Sequence, residues 1–380
     1  MKSFEQSEQD TRTKQSEVSG EKQQVVEKKD GSLYYRAWDN ESEVKSDGSE
    51  VLRLPKKVVD DLEKKQYGVY GHSGVQVCGW TKKSIKDQGV CYKQKFYGIE
   101  CHSCMEFSPA VMWCQENCSF CWRPMEFMKN IEIDAEKVDD FKDIVDNLMV
   151  KRKKLLNGFN ANHGANMDKL KEAQDPSHFA ISLSGEPTMY PHLDKMVEYL
   201  KTLPKTKSIF IVTNAQIPEF FEKLEKNPQA QPTQLYISLE APTKEIFKTV
   251  NMSLYDDGWE RLGRSLDVYS RLDCRRLVRF TQIKGLNDKE KYLKNYKELI
   301  DQGNPDFVEI KAYMHLGMSQ GRHTKEQMPE FTEVVEFAKL LANYLGNFDY
   351  IDAAPNSRIA LLRRTDSKYT VHLERFENSK

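Results

Sequence analysis

The stretch Trp113-Cys114-Gln115-Glu116-Asn117-Cys118-Ser119-Phe120-Cys121-Trp122-Arg123 decides how the rest of the chain is read. Cys114, Cys118 and Cys121 form a C-x3-C-x2-C array. Three thiolates this close can hold three irons of a [4Fe–4S] cluster and leave the fourth iron without a protein ligand. The competing reading is a zinc site completed by His102, although zinc prefers four ligands in C-x2-4-C pairs.

The surrounding composition favours the cluster. Seven of the eight cysteines lie between Cys78 and Cys121, within 44 residues, and only Cys274 lies elsewhere. Met1–Asp30 has no apolar leader, and no run approaches the roughly 18 apolar residues of a membrane span. The expected chain is soluble and cytoplasmic, where crowded cysteines ligate metals rather than form disulfides. A length of 380 residues, a net charge of −1 and 30% charged residues suit one large catalytic domain with an extension. Net charge cannot attract nucleic acid here, so any RNA contact needs basic residues gathered on one face.

Outward from the array, short apolar runs alternate with helical segments. Strands are predicted at Phe107–Trp113, Phe179–Leu183, Ser208–Val212, Gln234–Leu239, Leu277–Ile283 and Phe307–Ala312. Helices are predicted at Ala135–Leu156, Pro191–Leu203, Pro218–Lys226, Asp257–Leu272, Lys289–Gln302 and Met328–Leu345. This alternation predicts an α/β fold, a partial (βα)6 TIM-like barrel whose chemistry gathers at the C-terminal strand ends. The expected organisation is a disordered polar tail over 1–50 and an N-terminal extension over 51–105, which opens with an amphipathic helix at Leu52–Tyr67. The barrel follows over 106–350, with an inserted loop at 152–178. A C-terminal antiparallel hairpin occupies 351–380, pairing Arg358–Arg364 with Tyr369–Arg375.

The C-x3-C-x2-C spacing resembles the radical SAM superfamily, in which S-adenosylmethionine (SAM) binds the open iron and is cleaved to a 5′-deoxyadenosyl radical. That resemblance makes Phe120 an adenine neighbour. It also matches Ser184-Gly185-Glu186-Pro187 to a glycine–glutamate element at the second strand end. Asn214, Ser238 and Glu240 follow at the third and fourth strand ends, and Gly285 after the fifth.

Cys78, Cys91 and Cys104 are separated by intervals of 13 residues. They must come together from separate loops, and again give three thiolates with one open iron. Cys78-Gly79-Trp80-Thr81-Lys82-Lys83-Ser84, Cys91-Tyr92-Lys93, Lys95-Phe96-Tyr97-Gly98-Ile99 and Cys104 resemble the 4-demethylwyosine synthase family. The likeness resumes at Trp113–Arg123, Ser182–Pro191, Pro232–Pro242, Asp257–Arg261 and Val308–Gly317. It implies two [4Fe–4S] clusters, SAM and pyruvate, and tRNA(Phe) carrying N1-methylguanosine at position 37. It also implies a monomer of the shorter archaeal type, served by an external flavodoxin- or ferredoxin-like electron donor, because the segment before the resemblance is too short for a flavodoxin domain. The second cluster would hold pyruvate, or a lysine would capture the ketone as a Schiff base. Lys93 is the first candidate and Lys311 the second. Cys101 departs from the family pattern and is read as a bystander, as is Cys274, while His102 and His315 are read as structural.

Candidate phosphate contacts are Lys82, Lys83, Lys86, Lys95, Arg123, Arg275, Arg276 and Arg279. The competing functions are another two-cluster radical SAM activity, such as RNA methylthiolation, and a zinc-stabilised RNA-binding module.

Overall fold

The computed structural model describes residues 14–18, 21–27, 33–35, 41–45, 48–123, 132–160 and 164–373. Ten strands form one sheet: β1 (Tyr67–Tyr70), β2 (Ser73–Gln76), β3 (Cys104–Ser108), β4 (His178–Ile181), β5 (Ser208–Thr213), β6 (Gln234–Ser238), β7 (Arg275–Gln282), β8 (Phe307–Ala312), β9 (Phe348–Ala354) and β10 (Ile359–Arg364). Their order is β9-β10-β8-β7-β6-β5-β4-β3-β2-β1. The six strands from β3 to β8 are parallel. Antiparallel pairs flank them on both sides.

Alternation along each strand sorts side chains into two environments. Met105, Phe107, Ile209, Ile211, Leu235, Ile237, Val278, Phe280, Val308 and Ile310 face the helices and form the main core. Phe210, Tyr236, Leu277, Phe307, Ile359 and Leu361 form a second cluster with Tyr92, Phe96 and Tyr97. Those three aromatics belong to the short helix Tyr92–Tyr97, which therefore plugs the inner face of the curved sheet. Strand parity then directs Cys104 and Glu106 of β3, Arg279 of β7, and Glu309 and Lys311 of β8 toward this inner face.

The first parallel strand is Cys104–Ser108, not Phe107–Trp113. Pro109 has no N–H to continue the ladder, so Pro109–Trp113 leaves the sheet as a buried turn. The 152–178 region is not a loop. Phe141–Leu156 continues as a helix, and Met167–Gln174 forms another, with Asn166 accepting from the N–H groups of Asp168 and Lys169. Leu170 and Ala173 bury against Val77, Ile85 and Leu156, which the polar composition disguised. Asn162 of that segment lies outside the described residues.

The C-terminal hairpin pairs β9 with β10, not Arg358–Arg364 with Tyr369–Arg375. Arg358 turns the chain at positive φ. Tyr369, Val371 and Leu373 pack against the inner-face cluster, while Glu374 and Arg375 lie outside the described residues. Within the supposed polar tail, Lys14–Val18, Glu21–Glu27 and Leu33–Tyr35 pair antiparallel. Glu41–Val44 pairs with Glu50–Arg53, so the first helix starts later than expected, at Lys56. Backbone ladders between adjacent strands need no long apolar run, which is the signal this segment lacks. Among the described residues no helix is long and apolar enough to cross a membrane.

Inside the barrel, Arg279 and Glu309 stand opposite each other on β7 and β8. The guanidinium donates to Glu309 Oε2 from Nε at 3.0 Å and Nη2 at 2.7 Å, and Tyr97 Oη donates to Oε1 at 2.5 Å. Removing one partner of such a pair leaves a buried charge alone. Glu309→Ala should therefore cost roughly 3–5 kcal/mol in urea unfolding; a loss below about 1 kcal/mol would show that the pair carries little of the barrel's stability.

Candidate active site

The Cys114–Cys121 loop is clamped from two sides. Asn117 N donates to Met252 O at 3.1 Å, Ser119 N to Val250 O at 2.7 Å, and Leu254 N to Gln115 O at 2.8 Å. From the other side Arg322 Nε donates to Ser119 O at 3.0 Å, and Met318 N to Trp122 O at 3.1 Å. All three thiols are half-buried. Asn214 Nδ2 lies 3.8 Å from Cys114 Sγ, and Cys118 Sγ lies 3.1 Å from Glu116 Oε2. Burial pushes Cys114 and Cys118 well above the usual thiol range, and Glu186 and Glu116 respectively push them further. Iron bound to these sulfurs would supply the positive charge that lets such thiolates form. Phe120 packs against Val250, Ile283 and Tyr313 at the same mouth.

The next strand end is fastened to this loop by its backbone. Gly185 has φ +68°, and a Cβ there would fall 2.0 Å from Ala110 O and 2.6 Å from Trp113 O. Beside it Ser184 Oγ donates to Val111 O at 2.8 Å and Glu186 N to Trp113 O at 2.7 Å. The Glu186 carboxylate accepts from Thr188 N, Thr188 Oγ1, Thr213 Oγ1 and Asn214 N. It thereby ties the ends of β4 and β5 together. Glu240 follows Ser238 and Leu239 beyond β6 and accepts from Thr281 Oγ1 at 3.2 Å. Burial raises its carboxyl to about 7.

Several neighbours not foreseen from the sequence share this mouth. Glu116 is 2% exposed, and burial raises its carboxyl to about 8. Glu116 Oε1, Glu240 Oε2, Asn251 Oδ1 and both amide atoms of Gln115 are buried without hydrogen-bond partners. Buried polar atoms are ordinarily satisfied, so this concentration suits a polar ligand beside the cysteines. The only sequence signal was the unusual pair Gln115-Glu116 inside the cysteine array.

The second cysteine set meets at the inner face. Cys78 precedes the helix Gly79–Ile85, and its Sγ accepts from Thr81 N at 3.4 Å. Cys91 precedes the plug helix, and Cys104 opens β3. Burial pushes Cys91 up to about 12 and raises Cys104; in each, Lys93 acts against the rise, while Cys78 and Cys101 add to it at Cys91 and Cys78 and Cys91 add to it at Cys104. Lys93 Nζ lies 4.5 Å from the centre of the Phe210 ring and 5.3 Å from that of Tyr236. Lys311 Nζ lies 5.9 Å from the Tyr92 ring centre, and burial, then Arg279, lowers its pKa. Glu106, unforeseen from the sequence, is raised by burial, against the pull of Arg123, Lys93, Lys311 and Arg279. The structure thus gathers Cys78, Cys91, Cys104, Lys93, Lys311 and Glu106 into one electrostatic neighbourhood.

Cys101 is 2% exposed, and its Sγ accepts from Cys91 N at 3.4 Å, a local structural contact. His102 Nε2 is engaged with Glu172 Oε2 at 2.6 Å, away from the first cysteine array it would complete as a zinc ligand. Among the described residues no three His, Cys, Asp or Glu side chains lie close enough to share a single ion. A cluster instead spreads its thiolates over separate irons.

Three of the expected phosphate contacts are corrected. Arg275 donates to Thr370 O and Val371 O, Arg276 to Ser270 O, and Arg279 pairs with Glu309. Arg275 and Arg276 also begin β7, at the end of the strand opposite the site. Their buried acceptors make these three arginines structural rather than parts of a basic surface. Arg123 is 8% exposed and stacks 3.6 Å from the Trp122 ring centre, and Lys95 is bonded to Asp352 and Ala353 O. Lys82 donates to Gln66 Oε1. Lys83 lies 4.8 Å from the Trp80 ring centre, and Lys86 lies 5.6 Å from that of Phe159.

Two family models match: "Radical SAM superfamily" over residues 109–299 and "Wyosine base formation" over residues 302–364. The S-adenosyl-L-methionine-dependent tRNA 4-demethylwyosine synthase of Pyrococcus horikoshii is 42% identical over 316 residues, 82% of this chain and 90% of that protein. Its counterpart from Methanocaldococcus jannaschii is 35% identical over 319 residues, 83% and 98% of the two chains. Among solved structures, TYW1 with a lysine–pyruvate adduct bound aligns with a TM-score of 0.73 at 32% identity, covering 84% of this chain and 99% of that one. Archaeal TYW1 gives a TM-score of 0.68 at 30% identity, covering 84% and 100%. With the cysteine array, the six parallel strands and this likeness agreeing along most of its length, the chain belongs to the radical SAM tRNA 4-demethylwyosine synthases, enzymes of wyosine formation that use SAM and a [4Fe–4S] cluster.

Proposed function

We propose that the chain builds 4-demethylwyosine from pyruvate and N1-methylguanosine-37 of tRNA(Phe), using two [4Fe–4S] clusters and an external electron donor. The observation that carries the reading is the gathering of Cys78, Cys91 and Cys104, with Lys93 beside the last two, inside the barrel whose mouth carries Cys114, Cys118 and Cys121.

The first cluster, on Cys114, Cys118 and Cys121, would supply the electron that cleaves SAM, the source of the hydrogen-abstracting radical. Glu186 and Gly185 hold the strand edge beside that position, Asn214 stands next to Cys114, and Ser184, Ser238, Glu240 and Phe120 complete the SAM lining. The second cluster, on Cys78, Cys91 and Cys104, would supply a Lewis-acidic iron for the oxygens of pyruvate.

Lys93 is the assigned imine former, and Lys311 is the alternative amine. The neutral amine adds to the pyruvate ketone, water leaves, and the three-carbon unit is fixed to the barrel wall. The Phe210 and Tyr236 rings keep water from the amine and set its direction. A solved relative that carries a lysine–pyruvate adduct supports a lysine in this role. The unstacked base needs an aromatic platform, and Trp80, Tyr92, Phe96, Tyr97 and Trp122 lie along the two cysteine segments. Tyr92, Phe96 and Tyr97 are instead buried in the plug helix, and Trp122 remains 49% exposed. Trp122 is therefore the favoured platform. Lys82, Lys83 and Lys86 remain the phosphate candidates.

Anaerobic reconstitution should load about eight irons and eight sulfides per chain, and incubation with methylated tRNA, pyruvate, SAM and a reductant should yield the tricyclic nucleoside by mass analysis. Cys114→Ala should abolish SAM cleavage, whereas Cys91→Ala should retain part of it and make no tricyclic base. Product from the Cys91 variant would sink the role of the second cluster. Borohydride with labelled pyruvate should place the label on Lys93 and leave Lys93→Met unlabelled; label on Lys311 instead would reverse the assignment. Replacing Lys83 and Lys86 together by Gln should flatten the log affinity–log salt slope for tRNA by about 1 to 2, and an unchanged slope would remove both from the interface.

A further inference from the structure

Arg152 lies in the basic run Lys151–Lys154, yet it is 1% exposed. Its neighbours behave as surface residues: Lys153 pairs with Asp175 at 3.0 Å, with both side chains about half exposed. Arg152 instead turns inward from its helix to the second cysteine set. Nη2 donates to Cys104 O at 3.1 Å and to His102 O at 3.3 Å, and Nη1 donates to Ala173 O. Nε is buried with no partner.

Among the described residues no carboxylate pairs with this guanidinium. Glu172 on the adjoining helix and Asp175 at its end are engaged elsewhere, Glu172 with His102 and Asp175 with Lys153 and Lys205. The thiols that would act on Arg152 once ionised are those of Cys104 and Cys78. Three carbonyls offer dipoles but no net charge, and a buried cation without a counter-charge costs several kcal/mol. Arg275 is likewise buried among carbonyls, but Arg152 bears that cost directly behind the thiols assigned to the second cluster. A [4Fe–4S] cluster on three thiolates carries net charge −1 when oxidised and −2 when reduced, from the formal charges of iron, sulfide and thiolate. That is the missing counter-charge.

We propose that Arg152 is the buried counter-cation of the cluster held by Cys78, Cys91 and Cys104, and that it raises this cluster's reduction potential. The inference rests on the two-cluster reading above. Arg152 acts as a positioning residue, because its charge reaches the substrate only through the cluster. Its positive charge favours the more negative, reduced state, so removing it shifts the equilibrium toward the oxidised state.

The test is an EPR-monitored redox titration of the reconstituted two-cluster protein, in which the signal missing from Cys91→Ala marks the second cluster. Arg152→Met should make that cluster at least tenfold harder to reduce, about 59 mV for one electron, with the first cluster unmoved. Arg152→Lys, which keeps the charge and loses the fork, should stay near the wild-type potential. If Arg152→Met loses about four irons, Arg152→Lys decides: retained iron supports the charge role, and iron lost there too overturns it in favour of guanidinium geometry. An unchanged potential in fully loaded Arg152→Met overturns the counter-cation alone. Wild-type protein that loads only about four irons overturns it together with the two-cluster reading.

Discussion

The close approach of Gly185 to the carbonyls of Ala110 and Trp113 fixes the mouth of the barrel. A side chain cannot occupy that space, so the end of β4 lies flat against the turn that leads into the cysteine loop. The hydrogen bonds from Ser184 and Glu186 to Val111 and Trp113 depend on that approach. The Glu186 carboxylate then carries the alignment across to β5, through Thr213 and Asn214. The cysteine loop, two successive strand ends and the orphaned polar groups beside them therefore form one rigid unit, which is what orienting a radical against its target requires.

Deeper in the barrel the organising constraint is charge. The inner face carries Arg279, Lys93 and Lys311 among aromatic rings, with Glu309 and Glu106 as its acids. Glu309 satisfies Arg279 and the Tyr97 hydroxyl, and this leaves the two lysines beside aromatic rings and the Cys91 and Cys104 thiols. A desolvated amine suits the capture of a ketone. Arg152 approaches Cys104 from its own helix and Lys93 from the plug helix, so cations reach this cysteine from two separate elements.

The parallel strands were largely legible, because β4 to β8 are short apolar runs bounded by polar residues and separated by helices of ordinary length. Errors came where the signal was ambiguous. Phe107–Trp113 is apolar but for Ser108, and only its first two residues are strand; the rest is buried turn, and burial rather than pairing explains its composition. Residues 152–178 read as a loop from their Asn and Gly content, yet Leu170 and Ala173 suffice to dock a helix. Arg275, Arg276 and Arg279 looked like a phosphate-binding stripe because a sequence does not reveal which face of a strand is solvated.

By itself the sequence determined the chemistry available: two sets of three cysteines, the order of the strand-end residues and the family resemblance that joins them. Ligand spacing is local, and covalent connectivity preserves it. The tertiary structure alone decided which charges are buried and what they face. Glu116 and Asn251 meet at the mouth although 135 residues separate them, and Arg152 reaches Cys104 from 48 residues away. Such pairings arise from crossovers and strand parity, and their energies depend on exclusion of water, a property of the folded packing and not of any segment.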